Sequence, residues 1–217
     1  YNLFFTAKTR GILGKLAPWS GSFESDGWVK GAGDHQPEKH TSVSVWRSEK
    51  ETKEYAYRKN GSFNKLTITE DGADKSPGKI DEKLTNKTID LLAATMNVMS
   101  TSGRTQKCEG SSEVFDGKRR FKLMFKPDGT EKLIKSRYNI YGGNTDKCTV
   151  EMKPISGKGH EKPRGWLSIQ EQVRAKGSLP TIWLGKVAGS DLYVPVKIRV
   201  KTEYGTMFMH LKNIATV

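Results

Sequence analysis

The sequence predicts an all-β protein, mainly antiparallel, with one short helix. Apolar and polar residues alternate between turn signals for most of the 217 positions, with β-branched and aromatic types at the apolar places. Two Asx-Gly dipeptides, Asn60-Gly61 and Asp116-Gly117, each separate a pair of such runs, the strongest short-range signal for a hairpin. A third observation is the long period-two run near the end, set against a single stretch with confident helical spacing.

In chain order, Tyr1 to Phe5 opens as a strand, and Gly31-Ala32-Gly33 reads as a turn at a strand end. It lacks the third glycine and the following helix of a dinucleotide fingerprint. Val43 and Val45 alternate with serines. Tyr55 and Tyr57 share a face and, after Asn60-Gly61, are answered by Leu66 and Ile68. Ile89, Leu92, Ala93, Met96 and Met99 follow helical spacing, with Thr85 or Asn86 as the expected N-cap. Beyond Asp116-Gly117, Phe121, Leu123 and Phe125 line one strand face. Cys148, Val150 and Met152 share another, which aims the cysteine at the core.

The segment from Trp166 to Ala175 is read as a strand, although Trp166, Ile169 and Val173 also fit a helical face. Leu192, Val194, Val196, Ile198 and Val200 form five successive inward positions. Pro195, which cannot donate to a ladder, places that strand at an edge or at a bulge. Tyr204-Gly205 then turns into a last strand on which Met207, Met209 and Leu211 point together. Asp71 to Lys83 and Ser156 to Gly165 read as exposed loops. Neither loop is long enough to act as a linker, so residues 1–217 are expected to form a single β-rich domain.

Hydrophobic residues make up 35% of the chain and charged residues 28%, which predicts a thin core and a wet surface. The longest local apolar run is Leu91-Leu92-Ala93-Ala94, far short of the roughly 18 residues of a membrane helix. Net charge is +13. The densest cationic cluster is Lys118-Arg119-Arg120, and the remaining lysines are scattered. A solvated cationic surface is the plain reading, and contact with anionic lipid, lipopolysaccharide or peptidoglycan the functional one. Nucleic acid is disfavoured, because no recognition helix, zinc spacing or RNP-like aromatic motif accompanies the charge.

Cys108 and Cys148 are the two cysteines. Their separation lacks the paired short spacing of zinc ligands, and an even count in an exported chain favours a disulfide. The bond would close a loop of about 40 residues, worth about 3 to 4 kcal/mol in the chain-entropy model. It would place the protein outside the cytosol. Tyr1 in place of an initiating Met fits a removed export signal.

No catalytic set is legible. His35, His40, His160 and His210 are isolated in the sequence, and no Gly-x-Ser-x-Gly elbow occurs. Met207-Phe208-Met209-His210 could offer thioethers to copper, but an alternating core strand accounts for it better. Asp116 with Arg119 or Arg120 could form an anion-recognising turn, against the commoner role of a charged hairpin tip. Trp19, Trp28, Trp46, Trp166 and Trp183 are dispersed; they could line a concave hydrophobic groove in a curved sheet, against the commoner role of filling the core. Catalytic, cofactor and metal residues are therefore expected to be none, and the ligand-binding residues stay open.

Several blocks together resemble a known family of exported Gram-negative bacterial proteins, domain-of-unknown-function family 3108. They are Tyr1 to Phe5, Asp90-Leu91-Leu92, Cys108 with Val114 to Phe121, Cys148 to Gly157, Leu192 to Val196, and Tyr204 to Thr206. The Val-Phe-Asp-Gly and Tyr-Val-Pro-Val blocks carry the specificity, and the heavy lysine content departs from the family's usual composition. The resemblance implies a periplasmic location and a strongly curved sheet or incompletely closed β-barrel. It implies no reaction.

The expected function is that of a non-enzymatic periplasmic protein of the cell envelope, binding a lipid, lipoprotein or cell-wall component in a concave sheet. Two alternatives stand beside it. One is a protein that docks on an envelope assembly through an edge strand such as Leu192 to Val200. The other is an envelope-polymer hydrolase, which would need a histidine and a carboxylate within hydrogen-bond reach in a cleft.

Overall fold

Both Asx-Gly dipeptides turn a strand back on itself. In the computed structural model, Glu49–Tyr57 and Phe63–Glu70 flank Asn60-Gly61, and Gly110–Phe115 and Arg119–Leu133 flank Asp116-Gly117. Gly61 and Gly117 take φ of 84° and 96°, values that only glycine adopts without strain. The structure describes residues 1–16, 18–31, 33–157, 179–202 and 205–213.

Among the described residues, twelve strands form two open six-stranded sheets. The first has the order β1-β2-β3-β4-β5-β6, running Asn2–Lys8, Trp19–Lys30, Asp34–Trp46, Glu49–Tyr57, Phe63–Glu70 and Ala73–Asp74. The second has the order β12-β11-β10-β9-β8-β7. Its strands are Gly110–Phe115 (β7), Arg119–Leu133 (β8), Gly143–Gly157 (β9), Thr181–Lys186 (β10), Tyr193–Thr202 (β11) and Gly205–His210 (β12). Among the described strands every neighbour in either sheet is also the neighbour in sequence. The predicted all-β, mainly antiparallel class holds. Among the described residues three helices accompany the strands: α1 (Gly11–Leu16), α2 (Glu82–Thr85) and α3 (Leu91–Thr105).

The predicted helix is α3, but its cap is not Thr85 or Asn86. Asp90 fills that role, its Oδ1 accepting from the backbone N–H groups of Leu92 and Ala93 at 2.8 and 3.0 Å. Asn86 instead follows α2, which Asp81 caps. Ala93, Ala94, Val98, Met99 and Ser102, at spacings of three to five, make up the buried face of α3. The helix stops where Gln106 enters the left-handed region at φ 55° and donates back to the Ser102 carbonyl.

The chain divides into two compact units. Unit 1 comprises Tyr1–Thr95, Ser112–Lys122 and Pro154–Leu167, and unit 2 comprises Met96–Ser111, Leu123–Lys153 and Ser168–Val217. In unit 1 the core is Tyr55, Tyr57, Leu66, Ile68 and Phe115, with Phe63, Ile80 and Leu84 packed against it. Its rings meet edge to face: Tyr55 with Phe115, Tyr57 with Phe63 and Phe63 with Phe115, at centroid distances of 5.5 to 6.2 Å. In unit 2 the core is Leu133, Trp183 and Val196, flanked by Tyr141, Val194 and Leu211. The predicted disulfide joins Cys108 to Cys148 within this unit, with a Cα separation of 5.7 Å and both residues buried.

Strand β11 departs from its sequence reading. It lies between β10 and β12, so it is no edge. The bulge half of the expectation holds: Trp183 pairs with Lys197 and Leu184 with Pro195, leaving Val196 as the extra residue. The shift breaks the period-two pattern. Val196 and Val200 are buried, but Leu192 is 47% exposed rather than inward. The strand reading of Trp166 to Ala175, the Tyr204 half of the Tyr204-Gly205 turn, and most of the Ser156 to Gly165 loop lie outside the described residues.

Candidate functional site

Antiparallel register decides which side chains share a face. In unit 1 Ser25 pairs with His40, and His40 with Tyr55, so all three point to the buried side of the first sheet. There they meet Asp90 at the head of α3. The Ser25 hydroxyl donates to Asp90 Oδ2 at 2.8 Å, and Tyr1 and Ser25 hydroxyls are 3.0 Å apart. His40 Nδ1 stands 3.5 Å from Asp90 Oδ1 without a hydrogen-bond partner. The histidines, isolated in sequence, are thus not all isolated in space. His40 faces a carboxylate, and His35 packs edge-on against Tyr1 at 4.9 Å.

This Ser-Asp-His grouping is sealed. Ser25 is 0% exposed, Asp90 1% and His40 7%. The serine proton points at the carboxylate rather than at the imidazole, so the geometry does not prepare a nucleophile. One carboxylate oxygen is occupied by the α3 cap. Burial pushes the His40 pKa below its ordinary value, opposed by the Asp90 charge and by the Glu24 backbone. Burial also drives the Tyr55 hydroxyl upward, with Asp116, Glu51 and Asp90 adding to the effect.

The opposite face of the same sheet is open. Asp26 pairs with Lys39, Lys39 with Ala56 and Ala56 with Lys65, a row across β2, β3, β4 and β5. In the pairing of β2 with β3, Asp26 meets Lys39 but Gly27 meets Pro37, so Glu38 is an extra residue. That bulge leaves Glu38 and Lys39 exposed side by side while His40 turns inward. Gly27 is required here, since a Cβ would fall 2.1 Å from the Gln36 carbonyl oxygen. The result is a groove of about 540 Å³ lined by the charged Asp26, Glu38, Lys39, Glu54 and Lys65 together with Thr67, Tyr55, Ala56 and Tyr57. Lys39 and Glu54 are paired at 3.2 Å.

The cationic cluster singled out in the sequence is largely neutralised within unit 1. Arg119 Nε donates to Asp116 Oδ2 at 2.9 Å, and the Asp116 Oδ1 accepts from the backbone of Lys118 and Arg119. Arg120 is held by Glu113 and by the Lys83 carbonyl. This is a self-satisfied hairpin tip rather than an anion-recognising turn. In unit 2, Trp183 donates from Nε1 to Glu131 at 2.8 Å, with Lys197 over its ring at 4.3 Å. Trp19 is also buried, as core residues are, whereas Trp28 and Trp46 are only half-buried and Trp166 lies outside the described residues. Phe208 stacks on His210 at 6.0 Å and stays half exposed.

A family model described as a protein of unknown function, DUF3108, matches residues 1–212. The chain belongs to the DUF3108 family. No curated protein and no solved structure matches it. The DUF3108 match covers every block that carried the sequence resemblance, from Tyr1 to Thr206. The groove was not legible beforehand, because its residues come from four strands and a bulge, and their alignment depends on register.

Proposed function

We propose that this DUF3108 protein is a non-catalytic binding protein of the bacterial cell envelope, periplasmic, taking a polar cell-wall component along the open face of its first sheet. The observation that carries the reading is the groove across β2 to β5, where side chains of both signs sit on rigid paired strands. A lining of Asp26, Glu38, Lys39, Glu54 and Lys65 suits a ligand with its own ammonium and carboxylate groups, as peptidoglycan peptides have. The disulfide supports an oxidising compartment. A sealed Ser25-Asp90-His40 grouping supports binding over hydrolysis, and the interior position of β11 removes the strand on which edge docking was built.

Isothermal titration of the disulfide-bonded protein with soluble peptidoglycan fragments tests this. Saturable binding is expected, weakened by Glu54→Lys and by Lys65→Glu. No heat from fragments, with the protein folded and oxidised, would remove the reading.

A further inference from the structure

The connection between β8 and β9 has an unusual composition. From Lys132 to Thr145 there is no acidic residue, while Lys132, Lys135 and Arg137 supply three cations and Lys212 adds a fourth from the chain end. Lys212 Nζ donates to the Arg137 carbonyl at 3.1 Å, which fixes it to the same loop. All four are exposed, and none is paired with a carboxylate among the described residues. Elsewhere in unit 2, Lys126, Lys147, Lys186 and Lys197 each lie within 4 Å of a carboxylate, whereas Arg104 and Arg199 bond to threonine hydroxyls.

The same loop exposes apolar surface. Ile134 is 83% exposed, Tyr138 53% and Ile140 39%. Internal bonds pin its backbone rather than leaving it loose. Ser136 donates to the Asn139 carbonyl at 2.9 Å, the Ser136 hydroxyl accepts from Tyr138 and Asn139, and Ile140 donates to Leu211. Buried Asn139 accepts from the Tyr141 N–H at 3.1 Å. Over the exposed Tyr138 ring lie Arg137 at 4.6 Å and Lys212 at 5.7 Å.

Exposed isoleucines on a pre-ordered loop that also carries unpaired cations and an exposed tyrosine match the two phases of a membrane interface. Apolar side chains enter the acyl boundary, tyrosine takes the headgroup level, and cations meet anionic phosphates. We propose that the β8–β9 loop is a peripheral contact for an anionic lipid surface, with Ile134 and Ile140 as the inserting residues, Tyr138 at the headgroup level, and Lys135 and Arg137 of the loop, Lys132 at the end of β8 and Lys212 as the headgroup contacts. This surface lies in unit 2 and does not depend on the groove. Nucleic acid would use the cations but leave two isoleucines exposed without a role.

Cosedimentation with vesicles of phosphatidylcholine, with and without phosphatidylglycerol, tests the proposal. Binding is expected only with phosphatidylglycerol present and is expected to weaken as salt rises. Lys135→Ser with Arg137→Ser should weaken it about fivefold per cation removed. Ile134→Ser with Tyr138→Ser should weaken it about tenfold while leaving charge and melting temperature unchanged. Lys65→Glu in the groove should leave vesicle binding intact. The proposal is overturned by equal binding to both vesicle types, by no binding, or by parental affinity in the Ile134/Tyr138 variant. A loss with Lys65→Glu as large as with the loop variants would move the contact to the groove and also overturn it.

Discussion

Asp90 joins three parts of unit 1, and its removal has a cost that can be worked from its bonds. Its Oδ1 caps α3 through Leu92 and Ala93, and its Oδ2 accepts the Ser25 hydroxyl. Replacing an N-cap carboxylate by alanine costs about 0.5 to 2 kcal/mol. Leaving the buried Ser25 hydroxyl short of a partner adds about 1 kcal/mol, at the low end for such groups because Tyr1 still reaches it at 3.0 Å. Asp90→Ala should therefore cost about 1.5 to 3 kcal/mol, while Asp90→Asn, which keeps the capping oxygen, should cost about 1. Ser25→Ala alone should cost about 1 kcal/mol, and nearly nothing when added to Asp90→Ala, a coupling of about 1 kcal/mol. Urea unfolding followed by circular dichroism under non-reducing conditions reads all four proteins. If Asp90→Asn is as damaging as Asp90→Ala, or if the two alanine changes are additive, the carboxylate is not the shared partner described.

The disulfide closes a separation of 40 residues, and the chain-entropy model gives about 4 kcal/mol for its loss in a Cys108→Ala, Cys148→Ala variant. Alkylation before and after reduction, read by mass, should detect thiols only after reduction; reactive thiols in the untreated native protein would refute both bond and compartment. Burial holds His40 neutral in the folded protein and its pKa below the ordinary value, so the unfolded chain binds the extra proton. Stability is then fully present above about pH 6.5 and falls as pH drops below it, by up to about 1.4 kcal/mol per pH unit. His210 is also shifted downward by desolvation and by Lys197 and Lys212, so it contributes in the same sense. His40→Gln should flatten the slope just below about pH 6.5 without abolishing it, and an unchanged slope would show that His40 is not the group concerned.

What could be read in advance was local. Asn60-Gly61 and Asp116-Gly117 specify their turns through backbone conformations that few residues tolerate, and the flanking alternation assigns Tyr55, Tyr57, Leu66, Ile68, Phe121, Leu123 and Phe125 to buried faces. The helix was legible from its period but its cap was not, because several polar residues precede it and only packing selects Asp90. An acid-free run from Lys132 to Thr145 was present in the sequence as a signal, yet its meaning needed the exposure of Ile134 and Tyr138.

By itself the sequence determined the all-β class, the hairpins, the disulfide partners and the family, since each rests on residue type and short spacing. Tertiary structure alone decided the rest. It placed β11 in the interior of its sheet, and it turned Glu38 and Lys39 outward through a one-residue bulge. It also brought Ser25, His40 and Asp90 together across 65 residues of chain. The physical reason is register: a side chain's face reverses with each one-residue slip, and no local preference in these strands records which neighbour a residue will meet.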